Sequence, residues 1–263
     1  MAKRWTKLEE TKKRNELENL YIGENKTIGE ISKILYLGQS TVYDRLLRLK
    51  IKPLRSRKIK FNNKRSDVVI PIKYSKSLAE FIGIMLGDGH LTKNQVTVTL
   101  GNKEVRYVSH VAKLMERLFK IKPKTIRLKG GYNVVYFGSV EIVRWLISMG
   151  LVFNKVREQV GVPAWMFSKK AYSIGFLKGF FDTDGSIYKL KYGVQLSFTN
   201  RSLPLLEATQ NRLTWLGFSP SKISRFKVYL TKRCDIGYFF KTIDPANKKH
   251  SKRYNILCKS WDG

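Results

Sequence analysis

Apolar residues recur along this chain with two different periods. Near the N-terminus Leu8, Leu17, Leu20 and Tyr21 fall at roughly helical spacing. After GENK, Thr27 stands before Ile28, Ile31, Ile34 and Leu35, and Glu30 lies three residues beyond the threonine. That spacing predicts a capping box opening an amphipathic helix. Leu37-Gly38 interrupts it. Gln39 or Ser40 then opens a second helix with Val42, Leu46, Leu47 and Leu49 as its apolar positions.

Farther on, the period alternates between helix and strand, and the whole pattern occurs twice. LAEFIGIMLGDGHL (78–91) is matched by SIGFLKGFFDTDGSI (173–187), with Asp88 aligned to Asp184. The alternating QVTVTL (95–100) is echoed by VQLSFT (194–199). A helix over 103–120 corresponds to one over 203–217. KTIRLKGGYNVVYF (124–137), with a hairpin turn at its glycine pair, corresponds to KISRFKVYL (222–230). A last helix, 141–150 or 235–243, closes each copy. Each copy reads helix, hairpin, helix, hairpin, helix, which predicts an α+β fold of two pseudo-twofold halves. The expected division is 1–57 for the helical module, 58–73 for a linker, and 74–170 and 171–263 for the halves.

Charge changes the picture next. Fifty-one Lys and Arg against 20 Asp and Glu give a formal net charge of +31. A surplus of that size repels itself in the folded state and points to a polyanionic partner, above all nucleic acid. Residues 50–65 hold eight basic residues and no acidic one, a solvated or phosphate-tracking linker. No run of about 18 apolar residues is present, so no membrane span is expected. The N-terminus lacks the apolar core of a secretory signal. Two cysteines exclude a disulfide scaffold and fit a reducing, cytoplasmic setting, nucleoid or organelle included. With this charge, the N-terminal helix, glycine turn and helix read as a helix-turn-helix. Its second helix would present Gln39, Ser40, Thr41, Tyr43, Asp44 and Arg45 to a DNA groove. The same spacing also suits a helical interaction module.

The repeated helices carry small residues at every fourth position: Ala79, Gly83 and Gly87, then Gly175, Gly179 and Thr183. Each helical glycine costs about 1 kcal/mol relative to alanine. Close backbone approach of a second helix is the usual reason. Each helix then runs into Asp-Gly. Glycine is a natural stop, but aspartate is unfavourable at the negative end of a helix. If the helices pair with the same polarity, Asp88 and Asp184 meet, and their oxygens suit a hard divalent cation.

FIGIMLGDG and LKGFFDTDG resemble the paired signature motifs of the LAGLIDADG homing endonucleases, over about residues 74–258. VPAWMF (162–167) and KKHSKRY (248–254) also resemble the family. Copy two keeps Asp182 and Asp184; copy one has Leu86 at the first position and keeps Asp88. The resemblance implies that the motif helices form the central interface and that each half adds a four-stranded antiparallel saddle lying in the DNA major groove. It implies Mg²⁺, with Ca²⁺ or Mn²⁺ able to substitute, held by Asp88 and Asp184 with Gly87 and Thr183 beside them. It implies an assisting lysine at each centre, Lys155 for copy one and Lys249 (or Lys248 or Lys252) for copy two. Asn102 and Asn200 would orient water. By the pleat, Val96, Val98 and Leu100 pack while Gln95, Thr97 and Thr99 face bases. In copy two, Val194, Leu196 and Phe198 pack while Gln195, Ser197 and Thr199 face bases. Arg127, Lys129, Arg225 and Lys227 join them from the second hairpins. The expected activity is a metal-dependent double-strand break in a long double-stranded DNA target of about 20 base pairs, made by a monomer. A non-catalytic DNA-binding regulator and an intron-RNA maturase are the alternatives. The absence of splicing residues at the two ends argues against an intein.

Overall fold

The computed structural model describes residues 7–24, 26–51 and 68–258. The chain divides into two units, Met1–Asn62 and Asn63–Gly263, each with its own apolar core. Among the described residues, no helix is long and apolar enough to cross a membrane.

In the smaller unit, helix α1 (Lys7–Glu18) runs into a π-helical turn (Asn19–Gly23), followed by α2 (Ile28–Ile34) and α3 (Gln39–Arg48). The capping box forms as the spacing predicts. The Glu30 N–H donates to the Thr27 hydroxyl at 3.2 Å, and the Thr27 N–H donates to the Glu30 carboxylate at 2.7 Å. Leu17, Leu20, Ile31, Val42 and Leu46 close a small core. Two expectations change here. Ile34 is 46% exposed, because Leu35, one full turn from Ile31, takes the inward position instead. Arg45 is only 8% exposed, one turn from buried Val42, where an outward side chain was expected. Gln39, Ser40 and Tyr43 are exposed and Thr41 is half-buried. The side chains of Leu8 and Leu47, and most of the basic block 50–65, lie outside the described residues.

The larger unit follows the repeated order. Copy one comprises α4 (Lys76–Leu86), β1 (Gly89–Leu91), β2 (Gln95–Gly101), α5 (Val105–Phe119), β3 (Lys124–Arg127), β4 (Tyr132–Gly138) and α6 (Val140–Ser148). Copy two comprises α7 (Lys170–Asp184), β5 (Gly185–Leu190), β6 (Gly193–Thr199), α8 (Leu203–Trp215), β7 (Lys227–Leu230), α9 (Arg233–Thr242) and a final α10 (Lys248–Cys258). Both sheets are antiparallel, ordered β1-β2-β4-β3 and β5-β6-β7. Val68 and Ile70, within the expected linker, pack against this core.

The second sheet has three strands among the described residues, not the four that the family resemblance implies. Arg225 and Phe226 turn at φ 47 and 59, and Ser224 pairs with Lys227. Beyond it the Ser221 N–H still donates to the Tyr229 carbonyl at 2.8 Å, but the return bond of a regular ladder is replaced. The Tyr229 N–H donates to the Ser221 hydroxyl, not to a backbone carbonyl, and the Ser221 carbonyl accepts from the Gln210 amide. Residues 222 and 223 therefore stay outside the ladder, and no fourth strand forms.

The two halves meet through α4 and α7. A Cβ on Gly83 would overlap the Phe176 carbonyl and lie 2.9 Å from the Phe180 nitrogen. A Cβ on Gly179 would overlap the Glu80 carbonyl and lie 2.9 Å from the Ile84 nitrogen. Phe176 and Phe180 are the counterparts, in the repeat, of Glu80 and Ile84. The contacts thus exchange between copies, which is the mark of a pseudo-twofold axis. Contacts ascend along both helices together, so α4 and α7 run in the same direction with their backbones touching.

Gly179→Ala should destabilise the protein by about 3 kcal/mol or more, because the obstructing atoms are backbone. Gly161→Ala, whose Cβ would meet nothing nearer than Pro204 at 4.0 Å, should be close to neutral. Chemical denaturation of both variants checks the pair.

Candidate metal centre and nucleic-acid face

α4 ends at Leu86 with Gly87 as its cap, Asp88 follows, and β1 starts at Gly89. α7 runs through Asp184, and β5 starts at Gly185. Parallel pairing brings these ends together. A Cβ on Gly87 would lie 2.8 Å from the Thr183 Cβ and 3.5 Å from the Asp184 carboxyl carbon. Burial pushes the Asp184 carboxyl up to about 6, with the charge of Asp88 adding to the rise and the Asn200 hydrogen bond opposing it. Burial likewise raises Asp88, against the pull of Lys249 and Lys155. Two half-buried carboxylates beside two negative helix ends form a site that lacks positive charge.

Lys155 supplies part of it. Its ammonium donates to the carbonyls of Met85 (3.1 Å), Gly87 and Gly89 (2.7 Å), so it caps the C-terminus of α4. Burial lowers its pKa, and Asp184 and Asp88 pull it back up. Lys249, at the head of α10, is held 2.6 Å from Glu104 Oε1. Asn200 Nδ2 donates to Asp184 Oδ2 at 2.6 Å. Asn102 lies instead against the β3–β4 turn, with Nδ2 3.4 Å from a Cβ built on Gly131. Of the two asparagines expected to orient water, Asn200 is the one hydrogen-bonded to an aspartate of the pair among the described residues.

The donor chemistry fits a hard divalent cation at Asp88 and Asp184. Gly87 and Thr183 are differently engaged than expected. The Gly87 carbonyl accepts from Lys155, and the Thr183 hydroxyl donates into its own helix, 3.2 Å from the Gly179 carbonyl and 3.0 Å from that of Phe180. Asp182 stands apart from the pair. It is 1% exposed and accepts the N–H groups of Ala246 and Asn247, both at 2.9 Å, which fixes the approach to α10. Burial is the main cause that raises its pKa to about 7. Leu86 fills the corresponding position in copy one as a buried apolar side chain.

The register shows which side chains share a face, since directly opposed residues in an antiparallel pair point the same way. Val96, Val98 and Leu100 face the core, as predicted. Gln95, Thr97 and Thr99 lie on the other face, and the Thr99 N–H donates to the Asp88 carbonyl, so this ladder leads into the aspartate. Opposite Thr97 stand His90 and Tyr136, and Lys124 lies beyond Tyr136. The sequence reading missed these three, because cross-strand register is not written in a single strand. Arg127 falls on the wrong face: it pairs with Asn133, which pairs with core-facing Leu100. Lys129 is exposed in the β3–β4 turn.

In copy two, Gln195 and Thr199 lie on the polar face, with Lys227 opposite Thr199. Arg225 is exposed in its turn. Ser197 is on that face but fully buried. It sits between Ser186 and Tyr229, and its hydroxyl hydrogen-bonds Ser186 at 2.8 Å, so it cannot reach a base. Tyr188, bonded to the Gln195 amide, and Tyr229 are the outward groups instead.

Asp184 binds its proton more tightly when folded than the ordinary carboxyl at 3.8. Folding therefore loses stability as pH rises from about 4 to about 6, and the loss is complete above. In metal-free protein, Asp184→Asn should raise the melting temperature by several degrees at pH 7.5 and by much less at pH 4.5. Calorimetry at the two pH values checks this.

Three comparisons bear on identity. A family model described as LAGLIDADG-like domain matches residues 171–242. Replication factor C small subunit of Methanocaldococcus jannaschii is 33% identical over 133 residues, 49% of this chain; the chain spans about 7% of that relative's length. Among solved structures, mesophilic variants of the homing endonuclease I-DmoI are similar at 21% identity and TM-score 0.47, covering 64% of this chain and 94% of theirs. The N-terminal LAGLIDADG domain of WhiA is similar at 19% identity and TM-score 0.47, covering 64% and 80%. The stretch with Gly175, Gly179, Thr183 and Asp184 is matched directly by the family model, and the chain thus carries a LAGLIDADG-like domain in its second half.

Proposed function

We propose that this chain is a site-specific DNA endonuclease that makes a metal-dependent double-strand break. The observation that carries the reading is the meeting of Asp88 and Asp184 at the joined ends of α4 and α7, where each is electrostatically unfavourable without a cation. Asp88 and Asp184 would hold Mg²⁺, with Ca²⁺ or Mn²⁺ as substitutes. A divalent cation there supplies Lewis acidity toward a phosphodiester and lowers the pKa of bound water.

The chain's own groups do the rest. Asn200 fixes the orientation of the Asp184 carboxylate. Lys155 and Lys249 place positive charge on either aspartate, where a phosphate must come. Gln95, Thr97, Thr99, Gln195, Thr199 and Lys227 offer hydrogen bonds to base edges, with Lys124, Tyr136, Tyr188 and Tyr229 beside them. Gln39, Ser40, Thr41 and Tyr43 on α3 add a second DNA contact of helix-turn-helix type. One chain supplies both carboxylates, so the active form is a monomer.

Replacing Asp88 or Asp184 with Asn should lower cleavage of a target-bearing plasmid in Mg²⁺ by several orders of magnitude. Binding in Ca²⁺ should persist or tighten. Full cutting by the double variant would overturn the assignment. Wild-type binding with no cutting of any DNA in a random-sequence library would favour a DNA-binding regulator. At least six phosphate contacts are expected, so log K against log[salt] should fall with a slope of about −5 or steeper. A filter-binding salt series reads that slope.

A further inference from the structure

The two lysines beside the aspartates are held in different ways. The Lys155 ammonium rests on three backbone carbonyls at the end of α4, so the motif helix itself fixes it. Lys249 comes from α10, and its side chain is 45% exposed. Among the described residues, its ion-pair partner is Glu104, with Nζ 2.6 Å from Oε1. A long side chain in water loses much rotamer freedom when it is fixed, so a mobile anchor would not hold it.

Glu104 can hold Lys249 because it is itself held. Its side chain is 13% exposed. Oε2 accepts the Gly101 N–H at 2.8 Å, and Oε1 also accepts from Asn247 Nδ2 at 2.9 Å. Asn247 is fixed in turn: its N–H donates to Asp182 Oδ1 at 2.9 Å, and its Nδ2 to the Asp182 carbonyl at 3.1 Å. A carboxylate braced on both oxygens offers a charge at a fixed place. The arrangement is not repeated in the other half. Glu104 precedes α5 as its N-cap residue, and Ser202 stands at the same place before α8. The Ser202 hydroxyl donates to the Val160 carbonyl and holds no lysine.

We propose that Glu104 is a positioning residue for the cleavage reaction: it holds the Lys249 ammonium beside the aspartates and so governs the scission of one of the two DNA strands. The proposal rests on the endonuclease reading and on one assisting lysine for each strand. It adds an inequality that the duplication hides. The strand served by Lys249 depends on a carboxylate reaching across from the other half. The strand served by Lys155 depends on its own motif helix.

The test follows each strand of a plasmid that the wild type cuts in Mg²⁺, selected from a random-sequence library. Glu104→Gln keeps an oxygen for the Gly101 N–H and removes the charge that holds Lys249. The wild type should pass from supercoiled to linear with little nicked circle. Glu104→Gln should cut one strand about tenfold or more slowly and accumulate circles nicked in the other strand. Ser173→Ala, which loses a buried hydrogen bond to the Met166 carbonyl at the far end of α7, should affect both strands alike. A readout outside catalysis comes from metal-free, DNA-free protein. The ¹⁵N-labelled Lys249 ammonium, assigned with Lys249→Arg, should give a slowly exchanging signal in the wild type and lose it in Glu104→Gln. Glu104→Asp keeps a good cap for α5 but draws the carboxylate back from Lys249. It should lie between the two, and it decides the matter if Glu104→Gln does not fold. Equal slowing of both strands, or an unchanged Lys249 signal, would overturn the proposal and leave the endonuclease reading standing. A wild-type chain that cuts no member of the library would overturn both.

Discussion

Two helices running in the same direction can touch backbone to backbone only where side chains are missing from both. Gly83 and Gly179 meet that condition across α4 and α7. The parallel direction has a cost, because it places two negative helix ends side by side, with a carboxylate on each. Almost everything at this end of the molecule is a response to that charge: the ammonium of Lys155 over three carbonyls, the Asn200 amide on Asp184, and the raised proton affinity of both aspartates.

The pseudo-twofold symmetry holds for the backbone and fails for the chemistry. Lys155 reaches the end of α4 directly from the loop before α7. Lys249 is instead positioned through a chain of contacts, from Asp182 to the Ala246 and Asn247 N–H groups, and from Asn247 to Glu104. Leu86 occupies in copy one the place that Asp182 occupies in copy two, because copy one has no such segment to anchor there. The sheets differ in the same way, four strands against three.

At the aspartates, negative side chains meet negative helix ends, and the positive charges of Lys155 and Lys249 offset part of that excess. At the starts of α5 and α10 the ends are answered within the fold, by Glu104 as the N-cap of α5 and by Asn247 Oδ1, which accepts the Lys249 N–H.

The sequence alone determined most of the elements, the duplication and the glycine-spaced helices, because each is written in local spacing or in a repeat; that Asp88 meets Asp184 depended on α4 and α7 pairing with the same polarity, which the fold decided. The sequence also determined the inward and outward alternation of Gln95 to Leu100, which depends on one strand. Tertiary structure decided whatever depends on a neighbour. Arg127 lies on the core-side face because two registers in succession fix its parity. Ser197 is buried because Ser186 and Tyr229 flank it across the sheet. Arg45 is buried because one helical turn aligns it with Val42 and the small core. Asp182 and Asn247 meet across 65 residues within the second half, and Glu104 joins them from the first half, so no spacing could have announced them.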